Sequence, residues 1–330
     1  MHVVILGGGF AGLSAALHLH KQVSLTIVEP SPCFTFTPLL VDYLLNEKQP
    51  CIPFSKKTTV VQGKATHIDT KERIITIDRQ DGKTTLHYDY LVLSTGATPR
   101  LPERGAEFCQ PYKTLADAEQ LREQAKTAKS AVIVGAGATG IEVAFTLRQY
   151  VQEITILQGN ADILPGFSQK AKAYVLRAAQ RNNITILLKQ NVQAVLKNKV
   201  LTEQRGFRAD SIIWATGVVA HPLVQGNVLP DLSFAEHENI FVCGDCCPLS
   251  FPKNAQTARA MGKAVAENIM QKSRGLPSRA FSFSSKGSLL FLGDDALLCR
   301  DNLFLHGTFV LLLRRMLYLH RLNEIRKLFK

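Results

Sequence analysis

Apolar runs alternate with polar stretches along the chain, and the first 29 residues show this pattern most clearly. Apolar residues fill positions 3–6, a glycine-rich turn occupies positions 7–12, and a stretch with helical spacing follows at positions 13–20. A second apolar run at positions 23–28 ends at Glu29. This order of strand, turn, helix and strand predicts a βαβ unit.

The turn of this unit has glycines at the spacing G-x-G-x-x-G. Its residues are Gly7, Gly8, Gly9, Phe10, Ala11 and Gly12. At this spacing the first glycine allows a tight turn, the second lets a pyrophosphate approach the backbone, and the third lets the helix pack closely on the strand. Glu29 lies 20 residues beyond Gly9 and can accept hydrogen bonds from ribose hydroxyls. The unit therefore predicts a dinucleotide site at the N-terminus of the helix.

The same pattern recurs 128 residues later, measured from Gly7 to Gly135. An apolar run at positions 131–134 precedes the second turn, and a helix at positions 141–150 follows it. The second turn contains Gly135, Gly137, Thr139 and Gly140. Because each copy has its own strand, turn and helix, chance is a poor explanation for the repeat, and a second dinucleotide site is expected.

The second copy differs from the first at the end of its second strand, where Gln158 stands in the position of Glu29. A neutral amide can hydrogen-bond the ribose of NADH, and it does not repel a 2′-phosphate as an acid would. We therefore expect use of NADH with relaxed discrimination against NADPH.

The remaining pattern predicts further elements of both types. Positions 31–40, with two prolines and alternating aromatic residues, predict an ordered loop rather than a helix. Expected helices lie at 115–128, 171–181 and 255–271, and expected strands at 59–69, 73–78, 84–88, 90–94, 185–188, 192–196, 211–214, 240–243 and 286–293.

Three of these strands end in motifs that suggest a ligand. Thr95-Gly96 and Thr216-Gly217 close two strands, and Gly244-Asp245 closes a third. An acid after a glycine at the carboxyl end of a strand points to the ligand crevice of an open sheet.

Composition limits the class of protein. A chain of 330 residues with 46% hydrophobic and 20% charged residues is globular and long enough for about two domains. The net charge of +12 suggests nucleic acid, an anionic membrane surface or anionic ligands as partners. We expect no nucleic-acid partner, because the sequence has neither a zinc-finger spacing nor a long basic run.

The cysteines predict free thiols in a reducing compartment, because seven is an odd number and no secretory signal precedes the fold. Cys243-x-x-Cys246 ends a strand instead of opening a helix, and the sequence has no second ligand pair for zinc. We therefore expect no metal site and cysteines that are structural or incidental.

The C-terminal stretch at positions 303–330 combines helical spacing, apolar residues and basic residues. Arg314 and Arg315 interrupt any run of about 20 apolar residues, which a bilayer span needs. A basic amphipathic helix lying on an anionic membrane surface fits better. The alternative is a helix that packs its apolar side on the protein or on a second subunit.

Three further motifs complete the pattern: Phe36-Thr37-Pro38-Leu39-Leu40, Ala255-Gln256-Thr257-Ala258 and Lys286-Gly287-Ser288-Leu289. With the two glycine turns, they cover almost the whole chain in order. Together they resemble the two-dinucleotide-binding-domain flavoproteins of the pyridine nucleotide-disulfide reductase superfamily. Within that group the chain is most similar to the type II NADH dehydrogenases, which are single-chain NADH:quinone oxidoreductases.

The resemblance implies an α/β fold with two Rossmann-like dinucleotide-binding domains, the second inserted in the first, and a C-terminal amphipathic helical tail. The implied FAD-binding domain comprises residues 1–113 and 226–295, the NAD(P)H-binding domain residues 114–225, and the membrane-associating or dimerising segment residues 296–330. The chain departs from the family in a short segment at 222–238 and in Gln158, which replaces the usual acid.

In that family the first glycine turn holds FAD and the second holds NAD(P)H. The residues that the resemblance places at these cofactors are Gly7, Gly9, Phe10, Ala11, Gly12, Glu29, Thr37, Pro38, Thr95, Gly96, Gly135, Gly137, Thr139, Gly140, Gln158, Thr216, Gly217, Gly244, Asp245 and Gln256.

The resemblance also implies three catalytic positions. Glu142 would lie near the nicotinamide and the flavin, Gln256 would face the quinone side of the flavin, and Lys286 would lie beside the isoalloxazine. The alternatives are a solvated acid on a helix face for Glu142, a helix-capping group for Gln256 and a strand-edge lysine for Lys286.

The implied reaction passes hydride from NADH to flavin N5 and then two electrons to a quinone, without proton pumping. We expect a peripheral enzyme at the cytoplasmic face of the membrane, or a cytoplasmic one if the tail is only structural. A homodimer is one assembly that the tail could form. One alternative is a soluble reductase that serves a ferredoxin-type acceptor. Others are a sulfide:quinone reductase, for which Cys109 and Cys299 form no convincing pair, and a flavin-carrying regulatory protein of the apoptosis-inducing-factor kind.

Overall fold

The computed structural model describes residues 1–46, 50–54 and 59–329, and side chains as far as residue 326. The tail side chains beyond residue 326, and Lys330 altogether, therefore lie outside the described residues. The helices are α1 (Phe10–Leu19), α2 (Leu40–Asn46), α3 (Leu115–Ala125), α4 (Ala138–Leu147), α5 (Gln169–Arg181), α6 (Ala255–Lys272) and α7 (Thr308–Phe329).

The first βαβ unit forms the middle of a five-stranded parallel sheet. Its strands, in spatial order, are Ile240–Val242, Tyr90–Leu93, His2–Leu6, Ser24–Glu29 and Thr59–Gln62. The strand His2–Leu6 is apolar over most of its length and buried from Val3 onwards, as expected for a strand covered on both faces. Helices α1 and α6 pack against each other beside this sheet.

The second βαβ unit forms the middle of another five-stranded parallel sheet. Its strands, in spatial order, are Gln110–Pro111, Ser211–Trp214, Ser130–Val134, Glu153–Gln158 and Ile184–Leu188. The predicted fold class, α/β with two Rossmann-like domains, is confirmed by these two parallel sheets. The expected boundary at residues 113 and 114 falls just beyond Gln110–Pro111, the edge strand of the second sheet.

Smaller antiparallel sheets surround these two. The three-stranded ones are Lys64–Asp69 with Ile74–Arg79 and Gly82–His87, Val192–Leu196 with Lys199–Thr202 and Gly206–Arg208, and Ser288–Phe291 with Ala296–Arg300 and Leu303–His306. The two-stranded ones are Cys33–Thr35 with Cys51–Pro53, and Ala97–Pro99 with Val218–Ala220. The last pair connects the two large sheets, because Ala97–Pro99 follows a strand of the first sheet and Val218–Ala220 follows a strand of the second.

Some predicted elements are wrong in type or extent. The single strand expected at 59–69 is two strands that separate at Gly63, where a Cβ would lie 2.7 Å from Ile77 Cγ2. The loop expected at 31–40 is the strand Cys33–Thr35 and a 3-10 turn, Thr37–Leu39, that leads into α2. Proline is compatible with the first turn of a helix, so Pro38 does not prevent this turn.

The expectation that every cysteine is a free thiol is wrong. Cys33 and Cys51 form a disulfide between the paired strands Cys33–Thr35 and Cys51–Pro53, with their Cα atoms 5.9 Å apart. The two positions are cross-strand neighbours in space although 18 residues separate them in sequence. Among the described residues, Cys109, Cys243, Cys246, Cys247 and Cys299 are free.

The sequence pattern predicted that the tail is helical from residue 303, and this prediction is wrong for its first residues. Leu303–His306 is a strand that pairs with Ala296–Arg300, and α7 begins only at Thr308. One side of α7 is part of the core, since Val310 and Leu322 are buried. Arg314 is also buried, so this basic residue does not belong to an exposed basic face.

Candidate active site

The first glycine turn leaves open space above the N-terminus of α1. Gly7 has φ +102°, and a Cβ on Gly12 would lie 2.0 Å from the Gly7 carbonyl oxygen, so the helix passes directly over the turn. A Cβ on Gly9 would meet no described atom within 4 Å. Phe10 and Ala11 are the first residues of the helix. The turn is therefore crowded where α1 crosses the Gly7 carbonyl and open at Gly9, as a bound pyrophosphate requires.

The second glycine turn has the same geometry. Gly135 has φ +109°, and a Cβ on Gly140 would lie 1.9 Å from the Gly135 carbonyl oxygen. A Cβ on Gly137 would again meet no described atom within 4 Å. Thr139 lies in the first turn of α4. The repeat seen in the sequence is thus a repeat of two equivalent cradles.

Helix capping distinguishes these two cradles from other helix starts. Thr114, Ser168 and Asn254 cap α3, α5 and α6 with side-chain oxygens. Within the described part of the chain, no side chain caps α1 at Gly9 or α4 at Gly137. Uncapped N–H groups and the helix dipole favour an anion there, so both cradles fit the pyrophosphate of a dinucleotide.

Glu29 and Gln158 support the two turns in the same way. Glu29 Oε2 accepts a hydrogen bond from Gly8 N at 2.6 Å, and Gln158 Oε1 accepts one from Ala136 N at 2.9 Å. Gln158 Nε2 also donates to the Asp162 carbonyl at 3.1 Å, and the residue is only 8% exposed. Both ends of the Gln158 amide are therefore used inside the protein, which favours support of the turn over reading of the ribose.

The carboxyl ends of the first sheet bring two further predicted motifs to the first cradle. Thr95-Gly96 follows Tyr90–Leu93, and Gly244-Asp245 follows Ile240–Val242 in a 3-10 turn. A Cβ on Gly244 would lie 2.9 Å from Ala11 Cβ, so this turn packs against the start of α1. These residues can therefore contact one dinucleotide together.

Lys113 joins this group, and sequence reasoning missed it. Its Nζ lies 2.9 Å from Asp245 Oδ2, and both side chains are partly buried. The two residues are 132 positions apart in sequence. Since no local motif marks Lys113, only the fold reveals the contact.

Thr216-Gly217 lies at the carboxyl end of the second sheet, after Ser211–Trp214. The strand that follows, Val218–Ala220, pairs with Ala97–Pro99. Trp214 Nε1 also donates to the Arg100 carbonyl at 2.6 Å. The two sheets are therefore linked directly beside both predicted cofactor segments.

Gln256 is bonded to the segment that contains Lys286. Its Nε2 donates to the Gly287 carbonyl at 2.6 Å, and its Oε1 accepts from Lys286 N at 3.2 Å. Asn254, not Gln256, caps α6, because its Oδ1 accepts from Thr257 N at 3.0 Å. Capping is thus not the role of Gln256. The Lys286 side chain is exposed just before the strand Ser288–Phe291.

Glu142 is a carboxyl group in an enclosed environment rather than a solvated acid on a helix face. It lies on α4, one turn beyond the second cradle, and its Oε1 accepts a hydrogen bond from Phe291 N at 3.0 Å. Burial raises its pKa to about 7, even though the Phe291 N–H and the charge of Arg314 lower it. Glu142 can therefore hold or release a proton near neutral pH.

Cysteine chemistry has little support in this structure. Burial raises the pKa of Cys109 to about 11 and raises the pKa of Cys299, so neither thiol is a ready nucleophile. Burial also raises the pKa of Cys246 to about 11. The residues described contain no group of three or more His, Cys, Asp or Glu side chains that could hold a metal ion.

The outer side of α7 is apolar. Phe309 is 71% exposed, Met316 is 63% exposed, and Leu312 and Leu319 are also largely exposed. The spacing of these four residues places them on one side of the helix. They form the outer face of α7. None of the described helices combines the length and the apolar character needed to cross a bilayer.

Comparisons with known proteins agree with this geometry. The family model for pyridine nucleotide-disulphide oxidoreductases matches residues 1–262. The demethylphylloquinone reductase NdbB of Synechocystis sp. is 27% identical, over 97% of this chain and 91% of that protein. The type II NADH:quinone oxidoreductase NdhA of Mycobacterium tuberculosis is 26% identical, over 87% of this chain and 76% of that protein.

Solved structures show the same fold. The structure of NDH2 from Plasmodium falciparum in complex with NADH superposes with a TM-score of 0.86 at 18% identity, covering 99% of this chain and 96% of that one. The resemblance drawn from the motifs is therefore confirmed. The chain belongs to the pyridine nucleotide-disulphide oxidoreductase family and is an FAD-dependent oxidoreductase that uses NAD(P)H, with type II NADH dehydrogenases among its relatives.

Proposed function

We propose that the protein oxidises NAD(P)H and reduces a quinone at a membrane surface without pumping protons. The first cradle, with Asp245 nearby, is assigned to FAD and the second cradle to NAD(P)H. The domain assignment follows from this: residues 1–113 and 226–295 for FAD, and residues 114–225 for NAD(P)H. The names of the quinone-reducing relatives support this choice of acceptor.

One observation carries the proposal. The segment 286–291 is bonded at its start to Gln256 on α6 and at its end to Glu142 on α4. Helix α6 packs on the FAD side of the molecule, and α4 begins at the second cradle. The three predicted catalytic residues are therefore part of one connected arrangement between the two cofactor sites.

The residues have separate tasks in this proposal. FAD, when bound, supplies the two-electron redox chemistry, and the protein positions and tunes it. Glu142 holds or releases a proton at its carboxyl group on the nicotinamide side, since its pKa is about 7. Gln256 fixes the backbone of Lys286 and Gly287 on the quinone side. The Thr37-Pro38 turn lies beside the isoalloxazine in this proposal.

The membrane part of the proposal rests on α7. Its outer face exposes large apolar side chains, and Arg315 and His320 are exposed near them. An apolar face beside the Arg315 guanidinium group suits the interface of an anionic bilayer, where a hydrophobic quinone is concentrated. We propose contact with that surface through residues 296–330.

The test uses the full chain, because truncation at residue 303 would remove the edge strand Leu303–His306 and the buried Arg314. A Phe309→Ser/Met316→Ser variant and the unchanged protein are assayed with NADH and a long-chain quinone in anionic liposomes, and then with a water-soluble quinone. We expect the variant to lose liposome binding and long-chain quinone reduction while keeping activity with the soluble quinone. A parallel Leu196→Ser variant alters an apolar residue that is exposed elsewhere and is the control.

Two results would contradict the proposal. Equal long-chain quinone reduction by the variant would contradict the membrane assignment. If the unchanged protein reduced a ferredoxin-type acceptor but no quinone, the soluble electron-transfer alternative would replace the proposal.

A further inference from the structure

Among the residues that the structure describes, Arg314 is the largest fully buried side chain, with 1% of its surface exposed. It comes from the middle of α7 and forms a fork with Asp42 on α2, with Nη1 to Oδ1 at 3.0 Å and Nη2 to Oδ2 at 2.6 Å. Nη2 also donates to the Pro38 carbonyl at 3.0 Å. One side chain of the C-terminal helix is thus bonded to both the predicted flavin-side turn and the helix that follows it.

The same guanidinium group lies over two aromatic rings. Its central carbon lies 4.6 Å from the ring centre of Phe291 and 4.7 Å from that of Tyr318. Phe291 is the residue whose N–H binds Glu142, and Tyr318 packs edge-on against Phe36 at 5.3 Å. Arg314 therefore contacts neighbours of both the Glu142 carboxyl group and the Thr37-Pro38 turn.

The buried Arg314–Asp42 ion pair is expected to add little to the net stability of the fold. A buried ion pair loses much of its attraction to desolvation, and apolar residues of similar size often stabilise a fold as well or better. Removing one partner, in contrast, leaves an unpaired buried charge. We therefore expect the Arg314 contacts to matter more for the positions of the groups that they hold than for the stability of the fold.

We propose that Arg314 is a positioning residue for electron transfer: from the C-terminal helix it holds the Pro38 backbone beside the flavin and the Phe291–Glu142 hydrogen bond on the nicotinamide side. This inference rests on the proposed function, which places Pro38 beside the flavin and Glu142 near the nicotinamide. It also gives α7 a role inside the active site, in addition to its outer face.

The charges around Glu142 provide an independent readout. Arg314 and Tyr318 face it from α7, Asp42 from α2, and Tyr112 from the segment before α3. Arg314 lowers the pKa of Glu142 and Asp42 raises it, with the smaller effect. Loss of both residues therefore moves the pKa of Glu142 upwards. This movement reports the charge of Arg314 at Glu142, and the bleaching rate of the double variant, once stability is restored, reports its positioning role.

The experiment compares Arg314→Met with Arg314→Met/Asp42→Leu, both purified with FAD. The matched control is Arg79→Met/Asp81→Leu, an exposed Arg–Asp pair 3.1 Å apart on a surface hairpin. Melting temperature, the absorption bands of bound FAD, and the rate at which NADH bleaches FAD without oxygen are measured across the neutral pH range. No quinone is needed, so a wild-type protein that is bleached by NADH but does not reduce quinone contradicts only the proposed function.

We expect the single variant to melt earlier and the double variant to regain most of that loss. In both, bleaching should slow by about tenfold or more, because small misplacements of reacting groups have large effects on rate. The pH dependence of bleaching should move to higher pH in the double variant, while the control keeps the wild-type rate and profile.

Recovery of the wild-type rate and pH profile together with the melting temperature in the double variant would overturn the proposal. If neither Met variant retains FAD, Arg314→Lys decides, because lysine keeps the charge but cannot form the fork with Asp42. Wild-type bleaching by the Lys variant would also overturn it.

Discussion

Glu142 and Gln256 hold opposite ends of the same short segment, 286–291. Glu142 accepts a hydrogen bond from Phe291 N at 3.0 Å, and Gln256 donates one to the Gly287 carbonyl at 2.6 Å. The two residues belong to different helices, α4 and α6. A displacement of one end of this segment can therefore displace the other end.

Loss of the Gln256 side chain should impair the quinone step selectively. Gln256→Leu removes both hydrogen bonds to the segment, and we expect a lower kcat with quinone and little change in the rate at which NADH bleaches FAD. Asn254→Ala is the matched control on the same helix: loss of its cap should lower stability by about 1 kcal/mol without altering the KM for quinone. Equal effects of the two variants on quinone kinetics would count against a quinone-side role.

The raised pKa of Glu142 predicts a pH-dependent stability. The group titrates near 4.5 when unfolded and near 7 when folded, so the folded state binds more protons between these values and its stability falls as pH rises. The loss is complete above the folded pKa and amounts to at most about 3 kcal/mol.

Unfolding by denaturant at about pH 5 and about pH 8 measures this effect. Glu142→Gln should be less sensitive to this change of pH than the wild type, and it should also lose the limb of the pH–rate profile near neutrality. Glu153→Gln, at an exposed strand position, serves as control. Identical pH dependence of stability in wild type and Glu142→Gln would show that Glu142 is a solvated acid.

A single methyl group added to each glycine turn should distinguish the functions of the two cradles. Gly12→Ala places a Cβ against the Gly7 carbonyl, and we expect loss of bound FAD, seen as loss of the yellow colour on purification. Gly140→Ala places a Cβ against the Gly135 carbonyl and should leave FAD in place while raising the KM for NADH at least tenfold, that is by about 1.4 kcal/mol. The reverse pattern would exchange the assignments of the cradles.

Gln158 is expected to act on both nicotinamide nucleotides alike. In Gln158→Glu a carboxylate would face the Asp162 carbonyl, which now accepts a hydrogen bond from the amide at 3.1 Å. The turn below the nucleotide would then be disturbed for NADH and NADPH equally. A much larger loss for NADPH, measured as kcat/KM, would instead mean that this side chain reads the 2′ position.

Local features were predictable from the sequence, because the information lies within a few neighbouring residues. The two βαβ units follow from apolar periodicity and glycine spacing, and their cradles have the expected open and crowded sides. The assignment of FAD to the first cradle needed the resemblance to a known family, since both cradles have the same geometry.

Contacts between distant parts of the chain were not predictable. Arg314 and Asp42 are 272 positions apart, so a pattern of basic residues in the tail could not show that this one is buried. Residues 303–306 have helical spacing, yet they form a strand because Ala296–Arg300 offers an edge for pairing. Cys33 and Cys51 meet for the same kind of reason, through the pairing of their strands.

The most direct measurement is an anaerobic titration of the protein purified with FAD. NADH is added until the flavin absorption is bleached, and a quinone is then added in the same cuvette. Bleaching by NADH followed by stoichiometric recovery of the oxidised spectrum on addition of quinone is the predicted result. A flavin that NADH does not bleach, or that stays reduced in the presence of quinone, would contradict the transfer of electrons from NADH to quinone by this chain.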